Sequence, residues 1–315
     1  MSDINIGLLT ENENLSEFEI TENFSCVRFL DQNKERFELE FNLEKGTSFN
    51  TFFIRSHEEL FIIHPPEKQY LNSFNKVISR FCDQFKLDKI NFISGHINPQ
   101  IIQTIKNIST KFQNTTITCS NPGFKLINEL WNQRNPNLKD FVEIELPKIN
   151  IVKKELNLEL DNISLELIPI PTARWPGGLI IYERNQEILL SEKIFSAHIA
   201  SADWSETNRV STETDRKHFY DCLMAPMSNQ VVSITEKIAD YDIKTIAPLH
   251  GPAIEYSLKS FFNDYIRWGE NLSTNNPKIA LIYASAYGNT ASIGDALAKG
   301  INRTSVEVES INCEF

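Results

Sequence analysis

The order of apolar runs predicts an α/β protein: two β-sheets packed face to face with helices outside, then a short β–α–β unit. Three observations predict it. Strand-like runs give way to strand–helix pairs, and this progression occurs twice before residue 272. A polar stretch with a proline, "STNNPK" at Ser273–Lys278, then reads as a linker. After it the pattern switches to one strand, one amphipathic helix and one further strand. Two halves of this kind bury their apolar faces on each other. The expected organisation is therefore a large domain over 1–272, a linker over 273–277 and a small unit over 278–315.

The first third is β-rich. "SCVRFLD", "FELEFN" and "NTFFIRS" read as strands, and "ELFIIHPP" is a strand halted by Pro65 and Pro66. In "QYLNSFNKVISRFCDQF", Leu71, Phe74, Val77, Ile78 and Phe81 recur at helical spacing. "KINFISG" is the next strand and "PQIIQTIKNIST" the helix after it. "TTITCSN" is a strand, and Pro122-Gly123 opens the helix "FKLINELWNQ". The middle returns to strands: "DFVEIEL", "LELDNISLELIPIP", "GLIIYER" and "EILLSEK". "SNQVVSITEKIADY" is helical, "IKTIAPLHG" runs from strand to loop, and "SLKSFFNDYIRWGENL" is a helix.

With 315 residues the chain is long enough for a sizeable core, and 41% hydrophobic with 23% charged residues is ordinary for a globular protein. A net charge of −11 argues against nucleic acid or an anionic membrane as the main partner. No apolar run approaches a membrane span, and the N-terminus lacks the basic and apolar regions of a secretory signal. Cys26, Cys82, Cys119, Cys222 and Cys313 are odd in number, widely spaced and form no C-x-x-C pair. That usage fits a reducing, cytoplasmic setting and inert thiols.

The most specific motif is "KIALIYASAYGNTASIGDALAKGI". A continuous apolar strand runs into "SAYGNT" and then a helix with Ile293, Leu297 and Ile301 on one face. Gly288-Asn289 would also suit a tight hairpin, but a helix follows it rather than a strand. Hydroxyls and amides at a strand-to-helix turn make an anion cradle. The stretch resembles the FMN phosphate loop of flavodoxins. Ser285, Tyr287, Gly288, Asn289 and Thr290 match it position by position, and the resemblance implies that Ser285, Asn289 and Thr290 hold the phosphate. A flavodoxin-like sheet has a central first strand, and only its first two strands fit after Pro277. The expectation is a truncated sequence with an incomplete FMN site and an open strand edge.

Before residue 272, apolar strands run into polar loops four times: "ISGHINPQ", "PTARWPGGLIIY", "LLSEKIFSAHIA" and "IAPLHGPAIEY". Such loops assemble a binuclear metal site in a two-sheet sandwich. Taken alone, His96, Asn98 and Gln100 read either as a metal loop without its carboxylates or as an ordinary loop. His198 and His218 read as structural or exposed, and His64 as a surface residue or a neighbour of the ligands. Trp175 and Trp204 read as packing residues, with Trp175 also able to stack on Arg174 or wall the pocket.

Together the four loops resemble the metallo-β-lactamase-like domain of flavodiiron proteins, which a flavodoxin-like domain follows. "KGTSFNTFFI" is similar to a Gly-Thr-x-aromatic-Asn segment of that family. "ARWP" is similar to its His-Trp-Pro, "SEKIFSAH" to its Ser-Asn-Asp-x-Phe-Gly-x-His and "PLHG" to its Pro-Ser-His-Gly. "IIHPPEK" resembles the cyanobacterial diflavin branch, whose flavin-reductase module has no counterpart here. The implied fold is an αββα sandwich followed by the first βαβ unit of a doubly wound domain.

Carried over one by one, the family's His-x-Glu-x-Asp falls on His96, Asn98 and Gln100. Its next His falls on Arg174, its bridging Asp on Lys193 and its last His on His250. The histidines His96 and His250 are kept and every carboxylate is gone. Arg cannot ligate, Lys ligates only when neutral, and amides are weak donors. The expectation is a pocket without iron, filled by Arg174 and Lys193, where an anion is conceivable.

The resemblance implies a diflavin oxidoreductase that passes electrons from NAD(P)H through FMN to O2, giving water. It also implies a homo- or heterodimer with a paralogous flavodiiron subunit that supplies the metal. The alternative is a non-catalytic structural or regulatory partner of such an enzyme. A zinc hydrolase of the wider superfamily needs His-x-His-x-Asp-His, of which "HINPQI" keeps one residue.

Overall fold

The computed structural model describes residues 5–7, 14–38, 40–41, 43–133, 144–270 and 278–314. The chain divides into two compact units, Met1–Gly269 and Glu270–Phe315. The stretch read as a linker, 273–277, lies outside the described residues.

The larger unit begins with β1 (Asn5–Gly7), β2 (Leu15–Thr21) and β3 (Phe24–Asp31), then a small hairpin of β4 (Arg36–Phe37) and β5 (Glu40–Phe41). β6 (Thr47–Ser56) and β7 (Glu59–Ile63) follow, then α1 (Leu71–Phe85), β8 (Lys89–Ile93), α2 (Pro99–Lys111), β9 (Asn114–Ser120), α3 (Asn121–Trp131) and β10 (Lys148–Val152). Outside the hairpin, these strands form one eight-stranded sheet in the order β1-β2-β3-β6-β7-β8-β9-β10. It is antiparallel through β7 and parallel from β7 to β10, as strand–helix pairs require.

A second sheet holds β11 (Leu156–Leu160), β12 (Ile163–Pro169), β13 (Leu179–Glu183), β14 (Ile188–Glu192) and β15 (Thr245–Pro248), in sequence order. Between its last two strands lie α4 (Glu213–Phe219), a π-helical turn (Tyr220–Met224) and α5 (Ser228–Ala239); α6 (Leu258–Glu270) follows β15.

Three apolar clusters define the layers. Phe18, Phe24, Phe52 and Ile54 of the first sheet share one cluster with Leu165, Leu167, Leu179 and Ile181 of the second, so the sheets pack face to face. Phe53, Leu60 and Phe92 meet α1, α2 and α3 on the outer face of the first sheet. Ile180, Leu189 and Ile246 meet the helices around Phe219, Val231 and Phe262 on the outer face of the second. This is the αββα arrangement that the sequence predicts.

Three details differ from the sequence reading. The halves are unequal, eight strands against five. "FELEFN" forms only the two-residue strands of the hairpin. "DFVEIEL" lies partly outside the described residues, and its remainder, 144–146, is not a strand; the edge strand starts at Lys148, where pairing with β9 is available.

The smaller unit has β16 (Lys278–Tyr283), α7 (Asn289–Asn302) and β17 (Glu307–Asn312), with the strands parallel. Its apolar side chains are poorly covered within the unit: Ile282 and Ile293 are each 63% exposed. Among the described residues no helix is long and apolar enough to cross a membrane.

Candidate functional site

Four strand-end segments and the small hairpin converge on one buried pocket. β8 leads into Ser94-Gly95-His96. A Cβ on Gly95 would lie 2.4 Å from the Leu179 carbonyl oxygen, so the loop passes against the β13 backbone only as glycine. Asn98 then starts α2. Its Oδ1 accepts the amides of Gln100 (2.9 Å) and Ile101 (2.8 Å), with Pro99 in the first turn. Its Nδ2 faces inward, 3.0 Å from Glu67 Oε1 and 3.3 Å from His96 Nε2. Gln100 is exposed and turned away.

The start of β6 braces the other loops. Ser48 Oγ donates to the Ile199 carbonyl and accepts the Gly251 amide, and the Ser48 carbonyl lies 2.7 Å from His250 Nδ1. Thr47 Oγ1 lies 2.7 Å from His198 Nδ1. Asn50 Nδ2 donates to the carbonyls of Pro248 and Gly251. The "GTSFN" motif is therefore the bracket that fixes both histidine loops.

Lys193 lies at the centre. It is 3% exposed, its Nζ is 2.5 Å from Glu38 Oε1, and it sits 5.5 Å from the Trp175 ring centroid. Phe37, next to Glu38, covers two histidines, with centroid separations of 4.7 Å to His198 and 4.9 Å to His250. The His198 and His250 rings are 5.0 Å apart, and His96 meets Trp175 edge-on at 6.1 Å. Arg174 is half-buried and close enough to Glu38 to favour its carboxylate.

Burial sets the protonation states. It holds His96 and His250 well below the ordinary imidazole value, with Lys193 reinforcing the effect on both. It pushes His64 and His198 down to about 3. Glu192 is pushed up to about 8 and Glu40 to about 7, again chiefly by burial. Glu38 is the exception: burial opposes its ionisation, but the charge and hydrogen bond of Lys193 outweigh it and its pKa falls. Trp175 Nε1 favours the ionised Glu192, yet neither group has an aligned hydrogen bond.

The backbone around the pocket is strained. His64, Glu192 and Phe195 are non-glycine residues with φ of 57°, 56° and 68°. Such conformations cost about 1 kcal/mol or more each and cluster at functional sites.

The structure thus brings together His96, Lys193 and His250, with Asn98 and Arg174 at the margins, and leaves Gln100 outside. His64 is buried at 3% exposure rather than superficial, and Trp204 is packed as expected. Sequence reasoning missed Phe37, Glu38, Glu40, Glu67 and Glu192. Of these, Glu192 stands beside Lys193 in "SEK" and Glu67 lies in "IIHPPEK" after His64, each near a position already singled out.

In the smaller unit, Ser285 Oγ accepts the Ala291 amide at 3.0 Å, and Gly288 precedes α7 with φ 79°. Tyr287 is 94% exposed, and Asn289 and Thr290 are exposed in the first turn of the helix.

A family model described as ODP family beta lactamase matches residues 47–251. Over 307 residues the chain is 34% identical to diflavin flavoprotein A 6 of Nostoc sp., a match covering 97% of this chain and 51% of that protein. The chain thus spans about half the length of the curated relatives it matches. Among solved structures, the metal-soaked Flv1 flavodiiron core from Synechocystis sp. aligns with a TM-score of 0.75 and 30% identity, covering 96% of this chain and 72% of that one. Fragment 1–254 of diflavin flavoprotein A 5 from Nostoc sp. aligns with a TM-score of 0.71 and 29% identity, covering 82% of this chain and 98% of that one.

Proposed function

Because the chain belongs to the flavodiiron proteins, with a β-lactamase-type domain over residues 47–251, we propose that it is the flavodiiron portion of a diflavin oxidoreductase whose own pocket holds no diiron centre. The observation that carries this reading is Lys193. Lys193 is buried, with its Nζ 2.5 Å from Glu38 Oε1, at the position that the resemblance assigns to the family's bridging carboxylate. An ammonium has no lone pair, and two iron ions would bring several positive charges beside it.

The other positions on which the family's ligands fall do not fit a diiron centre either. Asn98 Oδ1 is committed to two helix amides. Gln100 is exposed, and Arg174 cannot ligate. His250 Nε2 is buried without a partner and His96 Nε2 has only the Asn98 amide, so of the positions on which the family's ligands fall, two imidazoles remain for two metals.

The turn of the smaller unit suits the phosphate of FMN. Ser285 orders the loop through the Ala291 amide, and Gly288 takes a left-handed turn in open space. The amides there sit at the positive end of a 14-residue helix. Ser285, Asn289 and Thr290 would hold the phosphate, with Tyr287 and Gly288 shaping the loop. FMN bound there supplies the step between two-electron and one-electron carriers. In this reading electrons come from NAD(P)H through a reductase module in the remaining length of the protein. O2 is then reduced to water at a metal-competent paralogous subunit of a dimer.

The loss of every carboxylate ligand also favours a second reading, a structural or regulatory partner that carries no electrons. The test is iron content and NAD(P)H-driven O2 uptake by the full-length protein, alone and with a metal-competent paralogue. The first reading predicts trace iron and a paralogue-dependent uptake that falls when Ser285 and Thr290 are both changed to Ala. Uptake that ignores those changes supports the second reading, and stoichiometric iron in the lone protein overturns both.

A further inference from the structure

Beside the pocket lies a donor cluster that the diiron comparison does not include. Glu40 of the hairpin, His218 of α4 and Cys222 of the π-helical turn have ligand atoms all within 4.8 Å of one another. We infer that these three side chains form a binding site for a divalent cation of the zinc class, with water as the fourth ligand.

Four observations carry it. First, the donors are one sulfur, one carboxylate oxygen and one imidazole nitrogen, a mixture that suits zinc with a water in the fourth position. Second, the spacing is right. Bonds of about 2.0–2.3 Å in a tetrahedron place ligand atoms roughly 3.5 Å apart, and Cys222 Sγ lies 3.7 Å from His218 Nε2.

Third, Glu40 is 1% exposed and its Oε2 has no aligned hydrogen bond. A buried carboxylate oxygen so placed needs a proton or a cation. His198 Nε2, 2.5 Å from that oxygen, is too near to be a fellow ligand of a tetrahedral ion; it orients the carboxylate, with its Nδ1 held by Thr47 Oγ1.

Fourth, Cys222 sits within the π-helical turn Tyr220–Met224. Such turns are rare inside helices and are enriched at functional sites. The cluster is open on one side, with His218 exposed and Cys222 half-buried, so an ion can reach it. A bound ion would clip the hairpin to the helical layer of the second sheet. It would thereby hold Phe37 over His198 and His250, and Glu38 on Lys193. The inference does not rest on the absence of iron from the neighbouring pocket.

Cobalt(II) titration of the full-length protein tests it. One equivalent should give thiolate-to-cobalt charge-transfer absorption in the near ultraviolet and d–d bands of tetrahedral intensity, both removed by zinc. Cys222→Ser should abolish the charge-transfer band, and His218→Ala should weaken cobalt binding at least about tenfold. Cys313→Ser, at the exposed thiol of the smaller unit, should change neither. Circular dichroism of each variant reports that it is folded. Cobalt held only in the histidine pocket would lack the charge-transfer band. Absence of that band, or its persistence in Cys222→Ser, would overturn the inference.

Discussion

The buried pocket and the turn at 285–290 are both loops at strand ends, yet they work through different parts of the chain. In the pocket Lys193, His198 and His250 are each less than 5% exposed. Low dielectric magnifies every charge there, so the side chains decide what the pocket holds. At the turn Tyr287 is 94% exposed, and the chemistry lies in backbone amides and hydroxyls at a helix start. A lysine and an arginine on its loops, Lys193 and Arg174, therefore set the character of the first region. The second keeps its capacity as long as its backbone path and hydroxyls remain.

The largest predicted effect sharpens this contrast. Phe37→Ala removes the ring that covers His198 and His250 and should cost about 3 kcal/mol, read by urea unfolding. A loss below about 1 kcal/mol would mean that the hairpin does not seal the pocket.

Lys193→Ala comes next. It strands Glu38, whose side chain is 30% exposed, so the cost is less than for a fully buried pair, about 2 kcal/mol. If unfolding is unchanged, Lys193 does not organise the pocket.

A pH prediction follows from Glu192. Its folded pKa of about 8 lies above the unfolded carboxylate value of about 4.3. The folded state therefore holds a proton that the unfolded state has released. Stability from this group is lost as pH rises, at up to about 1.4 kcal/mol per pH unit. His64 and His198, with folded values of about 3, act oppositely: stability is lost as pH falls below the unfolded value of about 6.5. Between about pH 6.5 and 8 the glutamate effect stands clear of them. Urea midpoints should fall across that window, and Glu192→Gln should flatten the decline; a parallel decline in the variant would refute the assignment.

The smallest effect belongs to the turn. Ser285→Ala removes one exposed-loop hydrogen bond and should cost less than about 1 kcal/mol in stability. It should nevertheless weaken FMN binding, measured by flavin fluorescence. A large stability loss with unchanged flavin binding would reverse the comparison.

The layered fold was legible because its signals are local: apolar runs bounded by Pro65-Pro66 and Pro122-Gly123, and apolar residues at helical spacing such as Leu71, Phe74, Val77 and Ile78. The inequality of the sheets was not, since β10 is short and partly exposed, without the apolar run of a core strand. Five of the pocket's positions, His96, Asn98, Arg174, Lys193 and His250, were legible by their place after strands. Its other half, Phe37, Glu38 and Glu40, was not, because a two-residue hairpin has no periodicity to read. Those residues reach Lys193 and His198 across some 155 positions of sequence, a contact that only the folded chain creates. At Asn98 the structure adds a role that the sequence does not display, the cap of α2.

The central claim is that Lys193 occupies the pocket in place of iron. The most direct test is the iron content of the full-length protein purified after growth with excess iron, measured by elemental analysis alongside a Lys193→Asp variant. The account predicts trace iron in the natural protein. Stoichiometric iron there, bound through His96 and His250, would contradict it.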